Sequence, residues 1–179
     1  CATALLELGV WACWAELLSK RRTDPDVCVT CATLMLNLLS TPEEERRAAL
    51  ELFDAHHGYD LLIAVLHTHQ LDVQVCRAVH FAVIQAADKT FNTESSFVRS
   101  GMCEVLISSL LQFSAYPGVK LQYVTLLERL SAGNKFMQER LLGLEVFENL
   151  IEIINDQAAF DAPLLKQTCV AVSALSSTY

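Results

Sequence analysis

The chain has 179 residues, 53% of them apolar, and a net charge of −8 from 13 basic and 21 acidic side chains. That balance makes a poor general nucleic-acid binder, since such affinity rests on clustered Lys and Arg and the densest cluster here is Lys20-Arg21-Arg22. No apolar run reaches the roughly 18 residues a membrane span needs, Glu7 and Glu16 interrupt the most apolar end, and there is no basic-then-apolar signal segment.

Residues 1–19 carry apolar side chains at i, i+3 and i+4 and predict a helix with Trp11 and Trp14 on its core face. Asp24 suits an N-cap and Pro25 the first helical position. The helix over 27–39 is then apolar nearly all round, which implies burial on several sides. Thr41, Pro42 and Glu44 have capping-box spacing ahead of an amphipathic helix over 43–57, where Glu43, Glu44 and Glu45 suit the positive end of the helix dipole. A helix over 59–67 follows Gly58, and Asp72 caps one over 73–87. Residues 88–93 are polar and read as a loop. A short helix over 95–100 ends at Gly101, and one over 102–113 follows. After the turn Tyr116-Pro117-Gly118 come helices over 119–131, 135–143 and 144–154. Asp161-Ala162-Pro163 opens the last. No stretch alternates with period two, so the chain is expected to be all-α.

This pattern repeats. A marker falls at Gly9, Gly58, Gly101 and Glu145, at intervals of 49, 43 and 44. A second ladder, Leu36, Val83, Leu127 and Val172, runs out of phase at 47, 44 and 45. A shared period in this range points to stacked helical units. One domain over 1–179 is expected, in units 1–40 (partial), 41–87, 88–131 and 132–177. The first full unit exceeds the others by about one turn, so the helix over 43–57 should be the longest of its class. The chain begins at Cys1 and stops within the apolar pattern 170–179, so a fragment of a longer intracellular, cytoplasmic protein is expected.

The stretches Gly101-Met-Cys-Glu-Val-Leu-Ile-Ser-Ser-Leu-Leu111 and Gly58-Tyr-Asp-Leu-Leu-Ile-Ala-Val-Leu66 resemble the second helix of an armadillo repeat. Ala32-Thr-Leu-Met-Leu-Asn-Leu-Leu39 and Tyr123-Val-Thr-Leu-Leu-Glu-Arg-Leu130 resemble the third. The resemblance covers nearly the whole chain. It implies a right-handed α-solenoid of three-helix repeats whose third helices line a concave groove. In importin-type members a Trp and, four residues later, an Asn recur there and grip a basic peptide. The matching pairs here are Leu34 and Leu38, Phe81 and Gln85, Thr125 and Arg129, and Val170 and Ala174. No Trp–Asn pair occurs, so nuclear-signal binding is not implied.

Taken at i, i+4, i+8, the groove stripes read Thr30-Leu34-Leu38, Arg77-Phe81-Gln85, Leu121-Thr125-Arg129 and Lys166-Val170-Ala174. The third helices carry four cations, and Arg77, Arg129 and Lys166 fall on the stripes while Lys120 does not. The expected function is a non-enzymatic scaffold for a protein or peptide with acidic groups beside apolar ones. Arg would pair its carboxylates, and Phe81 with Leu34 would take its apolar anchors. The candidate site is Leu34, Leu38, Arg77, Phe81, Gln85, Thr125, Arg129 and Lys166. An alternative is a regulatory solenoid that binds a small GTPase, a chaperone or an autoinhibitory segment through loops 88–93 and 156–161. A third is self-association through the apolar ends, around Trp11 and Trp14.

Cys28-Val-Thr-Cys31 has metal-ligand spacing, with His56, His57, His67 and His69 in the same unit. On an apolar helix that spacing marks a core face, and no second Cys pair follows, so packed thiols are expected and no metal. Cys103 has no acid or base tied to it by spacing, and no Gly-rich phosphate loop occurs, so no cofactor and no catalysis are expected. Seven scattered Cys suit free thiols better than a disulfide framework.

Overall fold

The computed structural model describes residues 8–87, 95–157 and 162–177. The expected loop 88–93, the start of the first helix over 1–7 and the Asp161 opener lie outside the described residues. Among those described there are eleven helices and no strand, so the all-α expectation holds.

The chain divides into two compact units, Cys1–Ala86 and Ala87–Tyr179. The first holds α1 (Val10–Arg21), α2 (Pro25–Leu39), α3 (Glu43–Ala55), α4 (Gly58–Thr68) and α5 (Val73–Ala86). Its largest contact is α2 against α5, and α1 and α3 both pack on α4. The second holds α6 (Ser96–Arg99), α7 (Met102–Gln112), α8 (Pro117–Ser131), α9 (Lys135–Leu142), α10 (Val146–Gln157) and α11 (Ala162–Ser176). There the largest contact is α8 against α11.

Local chemistry explains most boundaries. Asp24 accepts from the amides of Asp26 and Val27, with Pro25 at the first position of α2. Asp72 caps α5 in the same way through the amides of Gln74 and Val75. Thr41 departs from the capping-box expectation. Pro42 is the N-cap of α3 and no side chain caps it, while the Thr41 hydroxyl donates to the carbonyl of Leu38 at 3.0 Å. The threonine therefore closes α2 instead of opening α3. With 13 residues against 4 in α6 and 8 in α9, α3 is the longest described helix of its class.

The repeat marker is a backbone conformation. Gly9 (φ 73), His57 (φ 54), Gly101 (φ 77) and Glu145 (φ 56) are left-handed, and each immediately precedes a helix of 11 or 12 residues: α1, α4, α7 and α10. Their spacings are 48, 44 and 44, more regular than the glycine pattern alone. One sequence expectation changes. Gly9 breaks the helix foreseen over 1–19, and α1 starts only at Val10. At the second marker the left-handed residue is His57, one position before Gly58. Gly58 is required for another reason: a Cβ there would lie 2.2 Å from the ring of Phe53.

The core of the first unit is aromatic. Phe53 sits 5.1 Å from Trp11, 5.4 Å from Trp14 and 5.0 Å from Tyr59, mostly edge to face. Each such pair adds about 1 kcal/mol beyond area burial. The Trp14 indole also donates to the carbonyl of Cys31 at 2.9 Å, tying α1 to α2. In the second unit the core is largely aliphatic, with Leu106, Leu110, Val124, Leu126, Leu127, Leu130, Leu141 and Leu150 all buried.

Candidate functional site

The four long helices α2, α5, α8 and α11 carry the expected site. Among their described residues the exposed large apolar side chains are Phe81 (46%), Leu121 (41%) and Val170 (42%). All three are stripe positions. Exposing such groups forgoes roughly 25 cal/mol per Å² of apolar burial, so the fold itself gains nothing from them there.

In the first unit, Thr30 is exposed at the start of its stripe, Leu34 is half-buried and Leu38 is core at 3% exposure. Arg77 and Gln85 flank Phe81 and are half-buried, and the Nε of Arg77 is buried without a hydrogen-bond partner. In the second unit, Thr125 and Arg129 are half-buried while Lys166 is exposed. The Thr125 hydroxyl donates to the Leu121 carbonyl at 2.8 Å, as Thr30 does to Asp26 at 2.7 Å, so both protons are used within their own helices.

A shallow depression lies between the C-terminal half of α8 and α11. Lys166, Val170 and Ala174 line it together with Glu128, Cys169 and Ser173. Of the stripe residues on α8, none reaches it. An i, i+4, i+8 stripe also drifts around its helix. With 3.6 residues per turn, each step of four rotates the position by about 40°, so an i+8 residue stands about 80° off the starting face. That drift carries Leu38 into the core. Residues at i+7 stay nearly in line, and Glu128 and Ser173 occupy that position relative to Leu121 and Lys166. A step of seven in the sequence would have found both.

The thiols are sorted by depth. Cys28, Cys31, Cys76 and Cys103 are buried, and Cys13 and Cys169 are exposed. Burial pushes the Cys31 thiol up to about 11, reinforced by Cys28, and pushes Cys103 up to about 12, with the Glu104 charge adding and Arg140 opposing. Burial therefore favours the protonated form of both thiols near neutral pH. The fold does bring one foreseen histidine to the Cys28 helix. His69 donates from Nε2 to the Arg22 carbonyl at 2.7 Å, the Cys28 sulfur lies 3.7 Å from that nitrogen, and the Cys76 thiol donates to the His69 carbonyl at 3.3 Å. This joins the turn after α1 to the turn after α4. Among the described residues no three His, Cys, Asp or Glu side chains gather as a metal site would need. No described helix is long and apolar enough to cross a membrane.

Compared with known proteins, the chain matches no family model, no curated protein and no solved structure.

Proposed function

We propose that this chain is a protein-interaction scaffold of armadillo-like, right-handed solenoid type. It binds a partner segment bearing acidic and apolar groups through the outward stripes of α2, α5, α8 and α11. The observation that carries this reading is the register of Phe81, Leu121 and Val170 on stripes read from the sequence alone. The left-handed corners at Gly9, His57, Gly101 and Glu145, each followed by one medium and one long helix, support the repeat. Cations at Arg77, Arg129 and Lys166 beside apolar side chains, in a chain of net charge −8, support an acidic partner. The partner's carboxylates would pair with these cations, and its apolar groups would cover Phe81 and Val170.

A pull-down from reducing lysate, comparing wild type with Phe81→Ala plus Arg129→Glu, tests it. Losing an aromatic anchor and reversing a charge should weaken a groove partner by about 100-fold or more. Circular dichroism should show both proteins equally helical. A partner retained equally by both would reject the groove and favour the loops or the other faces.

A further inference from the structure

A second concavity lies in the unit Ala87–Tyr179, on another side of α8. It encloses about 290 Å³ among the end of α7 with its following turn, α8 and α10. Lys120 and Tyr123 face it from α8, about 100° or more around the helix from Leu121. Lys120 is the one cation of the long helices that the groove stripes leave out, and this cleft gives it a place.

The floor holds an unusual group. Tyr123 is 2% exposed, and its hydroxyl is buried with no hydrogen bond of good geometry, although the Asn149 side chain lies within its reach. Burial raises this phenol well above its ordinary value, and the neighbouring Asn149 side chain only partly offsets that. A phenylalanine would fill the same space without the cost of an unanswered hydroxyl, which is large for a buried group. The Asn149 amide donates to the Glu145 carbonyl at 3.2 Å and is thereby held in place. Leu110, Leu111 and Ile153 supply apolar wall, and Glu152 stands exposed in the lining.

We infer that this cleft binds a small aliphatic acid that also carries a hydrogen-bond donor, of the 2-amino or 2-hydroxy acid class. The ligand's carboxylate accepts from the Tyr123 hydroxyl and lies beside the Lys120 ammonium. Its donor is answered by Glu152, and its alkyl group rests on Leu110, Leu111 and Ile153. The Glu152 carboxylate disfavours a dianion such as hydrogen phosphate, which also brings no apolar body for the aliphatic wall. The volume admits a ligand of about the size of leucine but not a drug-sized one. The inference is independent of the groove reading.

The test is an NMR titration of the full chain with L-leucine, with 4-methylpentanoate as the same skeleton lacking the donor, and with inorganic phosphate. Leucine should shift resonances around Tyr123, Asn149 and Glu152. 4-Methylpentanoate should bind about tenfold more weakly, and phosphate not at all. Tyr123→Phe should melt higher than wild type without ligand, yet bind leucine about tenfold more weakly. Glu152→Gln, at an exposed position, should make leucine and 4-methylpentanoate bind alike. The inference is overturned by no saturable leucine binding, by equal binding of all three ligands, or by Tyr123→Phe that binds as wild type or melts lower.

Discussion

In Cys1–Ala86 four aromatic rings meet beside the corner that opens α4, with Phe53 at their centre and Gly58 flat against it. Among the described residues of Ala87–Tyr179 the core is instead largely aliphatic. There the polar groups do more of the joining. Gln138 donates to the carbonyls of Ser131 and Ala174 and lies 3.1 Å from the Ser177 hydroxyl, linking α9 to α8 and α11. Arg140 pairs with Glu104, linking α9 to α7. Around the corner that opens α4 the joining is mainly by aromatic packing, while in Ala87–Tyr179 buried polar side chains link the helices as well. Both are sensitive to change, but to different changes. A close-packed aromatic cluster fails when volume is added, and a buried polar network fails when one partner is removed.

The largest effect should come from Gly58→Ala. A methyl 2.2 Å from the Phe53 ring forces the ring out of its aromatic contacts, and about 3 kcal/mol of stability should be lost in urea unfolding. Gly101→Ala is the matched control in the other unit. Its position is roomy, the nearest atom being 4.0 Å away, so it should lose only the left-handed strain of about 1 kcal/mol. Equal losses would mean that backbone strain alone governs both corners.

A second pair divides the polar groups of Ala87–Tyr179 themselves. Gln138→Leu removes the donor to two carbonyls and should cost about 2 kcal/mol. Gln122 is just as deeply placed, but neither its amide nitrogen nor its oxygen has a partner. Gln122→Leu should therefore stabilise by about 1 kcal/mol. Two losses of similar size in chemical denaturation would refute the distinction.

The smallest effect is an acid sensitivity confined to one unit, since all five histidines lie in Cys1–Ala86. Burial holds His80 down to about 3 from its usual 6.5. Below pH 6.5 the unfolded chain takes up a proton that the folded chain refuses, so stability falls as pH falls across the window from 6.5 to 3. Between pH 6.5 and 5.5 the loss should be about 1 kcal/mol. Hydrogen exchange should quicken first in Cys1–Ala86, and His80→Gln should flatten that dependence. Equal acceleration in both units would point to a different titrating group.

Much of the fold was legible from periodicity and punctuation. The helices over 27–39, 73–87, 102–113 and 119–131 match α2, α5, α7 and α8 to within two residues, because each has a buried face and a Pro, Asp or Gly at its start. Asp24 and Asp72 were readable as caps since their role depends only on residues two and three ahead. Thr41 was not, because its hydroxyl could donate to the Leu38 carbonyl behind it instead of accepting from an amide ahead. His57 was hidden for a similar reason. The sequence marker there is the glycine beside it, but that glycine answers to the Phe53 ring from the preceding helix.

The sequence by itself determined the all-helical character and which residues share a helix face, such as Phe81 with Arg77, since both follow from spacing along one helix. Tertiary structure alone decided what lies opposite. Only packing could bring His69 to Cys28, carry Leu38 into the core, set Glu128 and Lys166 around one depression and bury the Tyr123 hydroxyl. A helix fixes which residues share its face, but the groups that meet that face come from distant segments. Their positions depend on how whole helices dock.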